Sequence, residues 1–148
     1  MIRAAVSAFA IVAAVAALRP PAEWLAVGAE ARKWTAPDAD KARANPVEAT
    51  PAALLKGRAL YQKHCASCHG DKGKGDGPAE SYETEPATDL TDQALQQRLT
   101  DGEIFWKITK GRREGTEVIM PGIAQRVPAE EDRWKLVRFM RTLGTKNP

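Results

Sequence analysis

The chain has 148 residues, with 22 Lys or Arg against 19 Asp or Glu. A formal charge of +3, with acids and bases interspersed, is mild and does not suggest a nucleic-acid partner. Only two cysteines are present, within four residues of each other, so no disulfide scaffold is available. There is no internal repeat, and the only compositional bias is an alanine-rich leader.

The leader comes first. Arg3 precedes an uncharged apolar run, Ala4 to Leu18, followed by Arg19-Pro20-Pro21, which stops a helix. A basic start and a short apolar core form the pattern of a secretory signal. A membrane-spanning helix needs about 20 apolar residues, more than this run offers. Residues 1–31 are therefore expected to be a cleaved signal peptide, with small residues at Val27-Gly28-Ala29 and Ala29-Glu30-Ala31 as cleavage sites, or else a retained membrane anchor. No cysteine stands where a lipid-modified N-terminus would need one. Residues 32–50 form the linker. From Thr35 to Thr50 they carry Pro, Ala and charge without apolar periodicity, as a tether or a strap over the domain surface would.

The domain is expected over 51–148. Thr50 is placed to cap a helix with Pro51 at its first position, running through Leu54, Leu55, Leu60 and Tyr61. After Cys65-Ala66-Ser67-Cys68-His69 comes the glycine-rich stretch 70–77, which resembles a phosphate loop. It lacks the closing Gly-Lys-Ser/Thr and a preceding strand, so a flexible turn is expected there. A short helix is expected over Asp92–Leu99. Thr100-Asp101-Gly102-Glu103 has capping-box spacing ahead of Ile104, Phe105 and Ile108, with Gly111 as the stop. Met120-Pro121-Gly122 is expected in a loop. Pro128 opens a last helix whose apolar stripe is Leu136, Phe139, Met140 and Leu143, with acids at its start and Arg138 and Arg141 suited to its end.

The C-x-x-C-H run carries the chemistry. Two thiols at this step match the separation of the two vinyl groups of a haem, and His69 directly after Cys68 falls where an imidazole can ligate the iron. A redox dithiol would want a βαβ setting, which the surrounding periodicity does not offer. A zinc site needs four ligands around one ion, and the only other histidine, His64, abuts Cys65. Covalent haem c, one per chain, is the expected cofactor, and it would complete the core of so small a domain.

A second axial ligand is sought among three methionines. Met1 lies in the leader, and Met140 lies on an apolar stripe, where packing is the ordinary role. Met120, followed by Pro121 and Gly122, sits where a rigid turn could aim a thioether at the iron. The alternatives are that Met120 fills a gap and that His64 or an exogenous molecule ligates instead. His64 is disfavoured because one helical step from Cys65 turns it away.

With these residues in hand, the stretch 51–144 resembles the small class I c-type cytochromes. The resemblance rests on Gly57-x-x-x-Tyr61 ahead of Cys65-x-x-Cys68-His69, on Met120-Pro121, and on a closing helix with Trp134. The bacterial mono-haem type is the nearest flavour, through Cys65 to Pro78, Asp101-Gly102-Glu103-Ile104-Phe105 and Glu131-Asp132-Arg133-Trp134. It implies an all-α fold of about four helices wrapped around one covalently bound haem, with His69 and Met120 as axial ligands to the metal. It also implies that Pro86 stands near the loop proline whose carbonyl fixes the proximal histidine. Gly57 is expected to permit a close crossing of the first and last helices, with Tyr61 packed near Phe139 and Met140. Trp106 or Tyr82 would be candidates to bond a propionate.

The resulting function is electron transfer rather than catalysis, because both axial positions are filled. Three settings stay open: a free or tethered carrier, a fixed subunit of a membrane respiratory complex, and a haem enzyme or gas sensor with an open sixth position. The expected partners are redox proteins: a respiratory complex, an oxidase or a periplasmic dehydrogenase. Lys72, Lys74, Arg112 and Arg113 would ring an exposed haem edge or would be plain solvated loop charges. Covalent haem attachment belongs outside the bacterial inner membrane, so export to the periplasm is expected, with a possible tether to the outer face of that membrane.

Overall fold

Helix caps written into the sequence set most of the element boundaries. The computed structural model describes residues 34–79 and 86–145. The leader, Tyr82 and the last three residues lie outside them. Helix α2, Pro51–His64, begins at Thr50, whose hydroxyl accepts from the Ala53 amide at 3.2 Å, with Pro51 in the first turn. Helix α4, Gln93–Arg98, begins at Asp92, which accepts from Ala94 and Leu95. Helix α5, Asp101–Lys110, begins at Thr100, which accepts from Glu103 at 3.1 Å. Helix α6, Glu130–Leu143, carries Glu130, Glu131 and Asp132 at its positive end and starts two residues after Pro128. Two single turns complete the helical part: α1, Asp38–Lys41, and α3, Ala66–His69.

The expected all-α fold is corrected at one place. Gly111–Glu114 (β1) and Glu117–Pro121 (β2) form an antiparallel hairpin, so Met120 sits on a strand and not in an irregular loop. Gly115, at φ 59°, and Thr116 make the two-residue turn, and Val118 and Ile119 supply β-branched side chains. Strands of four and five residues are too short to announce themselves by alternation.

The core lies where α2 crosses α6. Ala53, Gly57 and Tyr61 are buried at four-residue spacing on α2, facing Trp134, Leu136, Val137 and Met140 of α6. A Cβ at Gly57 would collide with the Lys135 carbonyl, so only glycine lets the two backbones come this close. Tyr61 lies 5.3 Å from the Phe139 ring. Phe105 of α5 stacks on Trp134 at 4.0 Å. The unit that begins at Thr35 is compact, and among the described residues no helix is long and apolar enough to cross a membrane.

Residues 36–47 lie along this core as a strap. Ala36 is buried. The Arg43 guanidinium sits 4.8 Å from the Phe105 centroid and 5.2 Å from that of Trp134, and it pairs with Glu130. Asn45 Nδ2 donates to the Trp134 carbonyl at 3.1 Å, and Thr100 Oγ1 donates to Lys41 O at 2.8 Å. Arg138 donates to the carbonyls of Val47, at 2.6 Å, and Asn45, at 3.2 Å. Arg138 and Arg141 thus reach away from their own helix end. Arg141 bonds Asp101 at 2.6 Å and the carbonyls of Leu99 and Gln96. Replacing Arg138 with Met keeps the aliphatic stem and removes the charge-assisted bonds to the strap. Arg138→Met is expected to lower the stability of the haem-loaded protein by about 1.5–3 kcal/mol in denaturant unfolding.

Candidate haem-binding site

Cys65 ends α2 and starts α3. Its amide donates to Tyr61 O at 2.8 Å, and its carbonyl accepts from Cys68 at 3.1 Å and His69 at 2.9 Å. Both thiols are half-buried, and neither is in a disulfide. Burial, partly opposed by Arg126, pushes the Cys65 thiol up to about 12. A dithiol exchanging disulfides works through a thiolate, so a thiol held this high is ill suited to that chemistry.

A helix of four residues leaves its last carbonyls without partners. The glycine-rich loop supplies them. Ala79 N donates to Ser67 O at 2.8 Å, Gly77 N to Cys68 O at 3.0 Å, and Gly75 N to His69 O at 2.9 Å. The buried Tyr61 hydroxyl donates to Gly70 O at 2.7 Å, and burial raises its pKa, which keeps it a donor. The expected flexible turn is therefore a specific cap. Gly75, at φ 77°, shows why glycine is required: a Cβ there would collide with the Ala87 carbonyl.

That close approach leads to the histidine. Leu90 N donates to Gly73 O at 2.6 Å, which lays residues 86–90 beside the loop. His69 Nδ1 then lies 3.0 Å from the Thr88 carbonyl. A carbonyl only accepts, so Nδ1 carries the proton and Nε2 keeps its lone pair. Burial lowers the His69 pKa, with the Thr88 bond opposing, and this favours the neutral imidazole a metal needs. The carbonyl that holds His69 is that of Thr88 and not that of Pro86, two residues earlier. The glycine spacing fixes which residue arrives, and no side chain advertises a backbone acceptor.

Met120 is half-buried on β2, paired with Arg112, and packs against the same apolar cluster as Cys65. Met140 is inside that cluster at 7% exposure. His64 stands at the end of α2, half-buried, with a pKa lowered chiefly by burial. Trp106 is half-buried on α5. Among the basic residues, Lys72, Lys74 and Arg113 are exposed, whereas Arg112 pairs with Glu114 at 2.5 Å. Arg133 stands in the Glu131-Asp132-Arg133-Trp134 stretch without a role assigned from sequence; it is buried and donates to the carbonyls of Val127, at 2.6 Å, and Pro128, at 2.9 Å.

The donor set fits haem c. It provides two thiols at the attachment spacing, a neutral imidazole with Nε2 available, and a thioether against the same apolar cluster. Tyr61→Phe removes one hydroxyl and nothing else from the cap of the attachment turn. It is expected to cost about 1 kcal/mol in denaturant unfolding of the haem-loaded protein, while haem remains on the chain in a denaturing gel.

No curated protein matches the chain. Among solved structures, a chain of the Kuenenia stuttgartiensis reducing HAO-like protein complex superposes with a TM-score of 0.56 at 23% identity. The match covers 68% of this chain and 47% of that one, so this chain spans about half the length of its structural neighbour, and the likeness is one of fold. The family model described as "Cytochrome C oxidase, cbb3-type, subunit III" matches residues 52–140, from the start of α2 to the core of α6. With its attachment turn, its loop cap and most of its closing helix inside that span, the chain belongs to this family of c-type cytochrome domains.

Proposed function

We propose that this protein transfers electrons on one haem c attached through Cys65 and Cys68, with His69 and Met120 as the two axial ligands. The observation that carries the reading is the His69 Nδ1 contact with the Thr88 carbonyl at 3.0 Å, which leaves Nε2 as the ligating atom. When bound, the haem supplies a one-electron ferric/ferrous couple. The residues around it set its properties. Thr88 fixes the ring plane of His69 and makes the imidazole a stronger donor. The Met120 thioether, soft and neutral, favours ferrous iron and raises the potential. With both positions taken by side chains, no site is left for a substrate.

The setting we propose is a respiratory complex or its immediate partners, outside the cytoplasmic membrane. The description of the family as an oxidase subunit supports a fixed or tethered place over a freely diffusing one. Arg3 and the apolar run Ala4–Leu18 support export, as a cleaved signal or as an anchor to the outer face of that membrane. Redox partner proteins on either side are an oxidase, a quinol-oxidising complex or a periplasmic dehydrogenase.

Two experiments test this reading. Cys65→Ala combined with Cys68→Ala, expressed with a haem-ligation system, is expected to lose all haem to acid-acetone extraction, whereas the wild type keeps it. Haem retained by the double variant would overturn covalent attachment. Met120→Ala is expected to abolish the weak far-red charge-transfer band of a ferric histidine–thioether haem, to admit carbon monoxide to the reduced protein, and to lower the potential. Met140→Ala is expected to keep the band and to lose about 2–5 kcal/mol of stability as a core truncation. The opposite pattern would exchange the roles of the two methionines.

A further inference from the structure

We propose that Gly111 and Gly122 are positioning residues for the axial thioether: their close crossing at the root of the β-hairpin fixes where Met120 is presented. The inference rests on the assignment of Met120 as a ligand and concerns how the chain holds it.

The hairpin cannot hold Met120 by itself, because an isolated two-stranded ribbon is marginally stable at best. Its register is also interrupted next to the methionine: Arg112 pairs with Met120 and Arg113 with Val118, so Ile119 is an extra residue in β2. Position must come from the root. There Gly111 pairs with Pro121, and Ile123 N donates to Ile108 O at 2.9 Å, with the Ile123 side chain 2% exposed. The chain leaving the hairpin is thereby tied back onto the last turn of α5.

Two glycines make the tie possible. Gly111 has φ 71°, and a Cβ there would run into the Met120 carbonyl and the Gly122 amide. A Cβ at Gly122 would lie 2.7 Å from the carbonyl oxygens of both Thr109 and Lys110. These are backbone atoms and cannot rotate away. Ordinary contact begins at 3.4 Å, so one added methyl forces the root apart by several tenths of an ångström. Ligand constellations tolerate displacements of about 0.5 Å, so the shift is of the size that uncouples a ligand. Gly122 has no left-handed φ, so Gly122→Ala probes the close approach without backbone strain.

The test uses the full haem-loaded chain. In Gly122→Ala the far-red band is expected to be lost and the reduced protein to bind carbon monoxide, with haem still covalently attached. Gly115→Asn, at the open tip of the same hairpin and at φ 59°, is expected to keep the wild-type band. A second measurement needs no variant: on warming the wild type, the band and the exchange protection of the Ile123 amide are expected to disappear together. A wild-type band in Gly122→Ala, or a wild-type band that outlasts Ile123 protection, overturns the positioning role and leaves the ligand assignment standing. A wild type with no far-red band overturns the assignment of Met120, and the proposal with it.

Discussion

The helical turn that carries Cys68 and His69, with Cys65 as its N-cap, is four residues long, and a helix of four residues cannot satisfy its own backbone. The placement of His69 depends on how that deficit is met. Donors for Ser67, Cys68 and His69 come from the loop that follows, and Gly70 accepts both from Gly73 of that loop and from Tyr61 on α2. For the loop to turn back so tightly, the chain must take left-handed conformations at Gly70, Gly73 and Gly75. Once it has turned back, Gly73 receives the Leu90 amide, and Thr88 arrives at His69. Backbone satisfaction and ligand orientation are thus a single arrangement. Disturbing the loop would disturb the imidazole through the backbone contacts that bring Thr88 to it.

Much of the frame is legible in the amino-acid sequence, because it is written in side chains with local jobs. Thr50 and Thr100 cap the helices they are expected to cap, the short helix expected from Asp92 is present with Asp92 as its cap, and Gly57 stands where α2 meets α6. What escapes such a reading is carried by backbone or by distance. The Thr88 carbonyl has no residue signature, so resemblance points to Pro86 instead. The hairpin hides because its strands pair for only a few residues and one of those is an extra residue. The strap is ambiguous because its hold comes from Arg138, Asn45 and Arg43, whose partners lie far along the chain.

The arginines show why charge alone is a poor guide. Arg138 and Arg141 suit the negative end of α6 by position, yet both donate to carbonyls of neighbouring segments. A planar guanidinium with five donors satisfies several backbone acceptors at once, which a lysine ammonium does not do in this geometry. Arg133 does the same for Val127 and Pro128 from inside the core, with Phe105 at 5.4 Å from its guanidinium carbon. Such arginines act as structural cross-links.

The two candidate ligands are consequently held by different means. His69 is fixed by one direct bond to Thr88, whose segment is laid against the glycine loop. Met120 is fixed through the hairpin root and the segment that follows, where Ile123 and Val127 are buried in the core. That segment is held by Arg133, and Arg133 lies over Phe105, the ring that stacks on Trp134. Arg43 of the strap lies over the same two rings and pairs with Glu130 at the start of α6. Arg43 precedes the family-matched span of 52–140, yet it packs on the rings that support the thioether arm. The candidate thioether thus draws on the longer chain of contacts, and part of that chain is the strap that precedes the family-matched span.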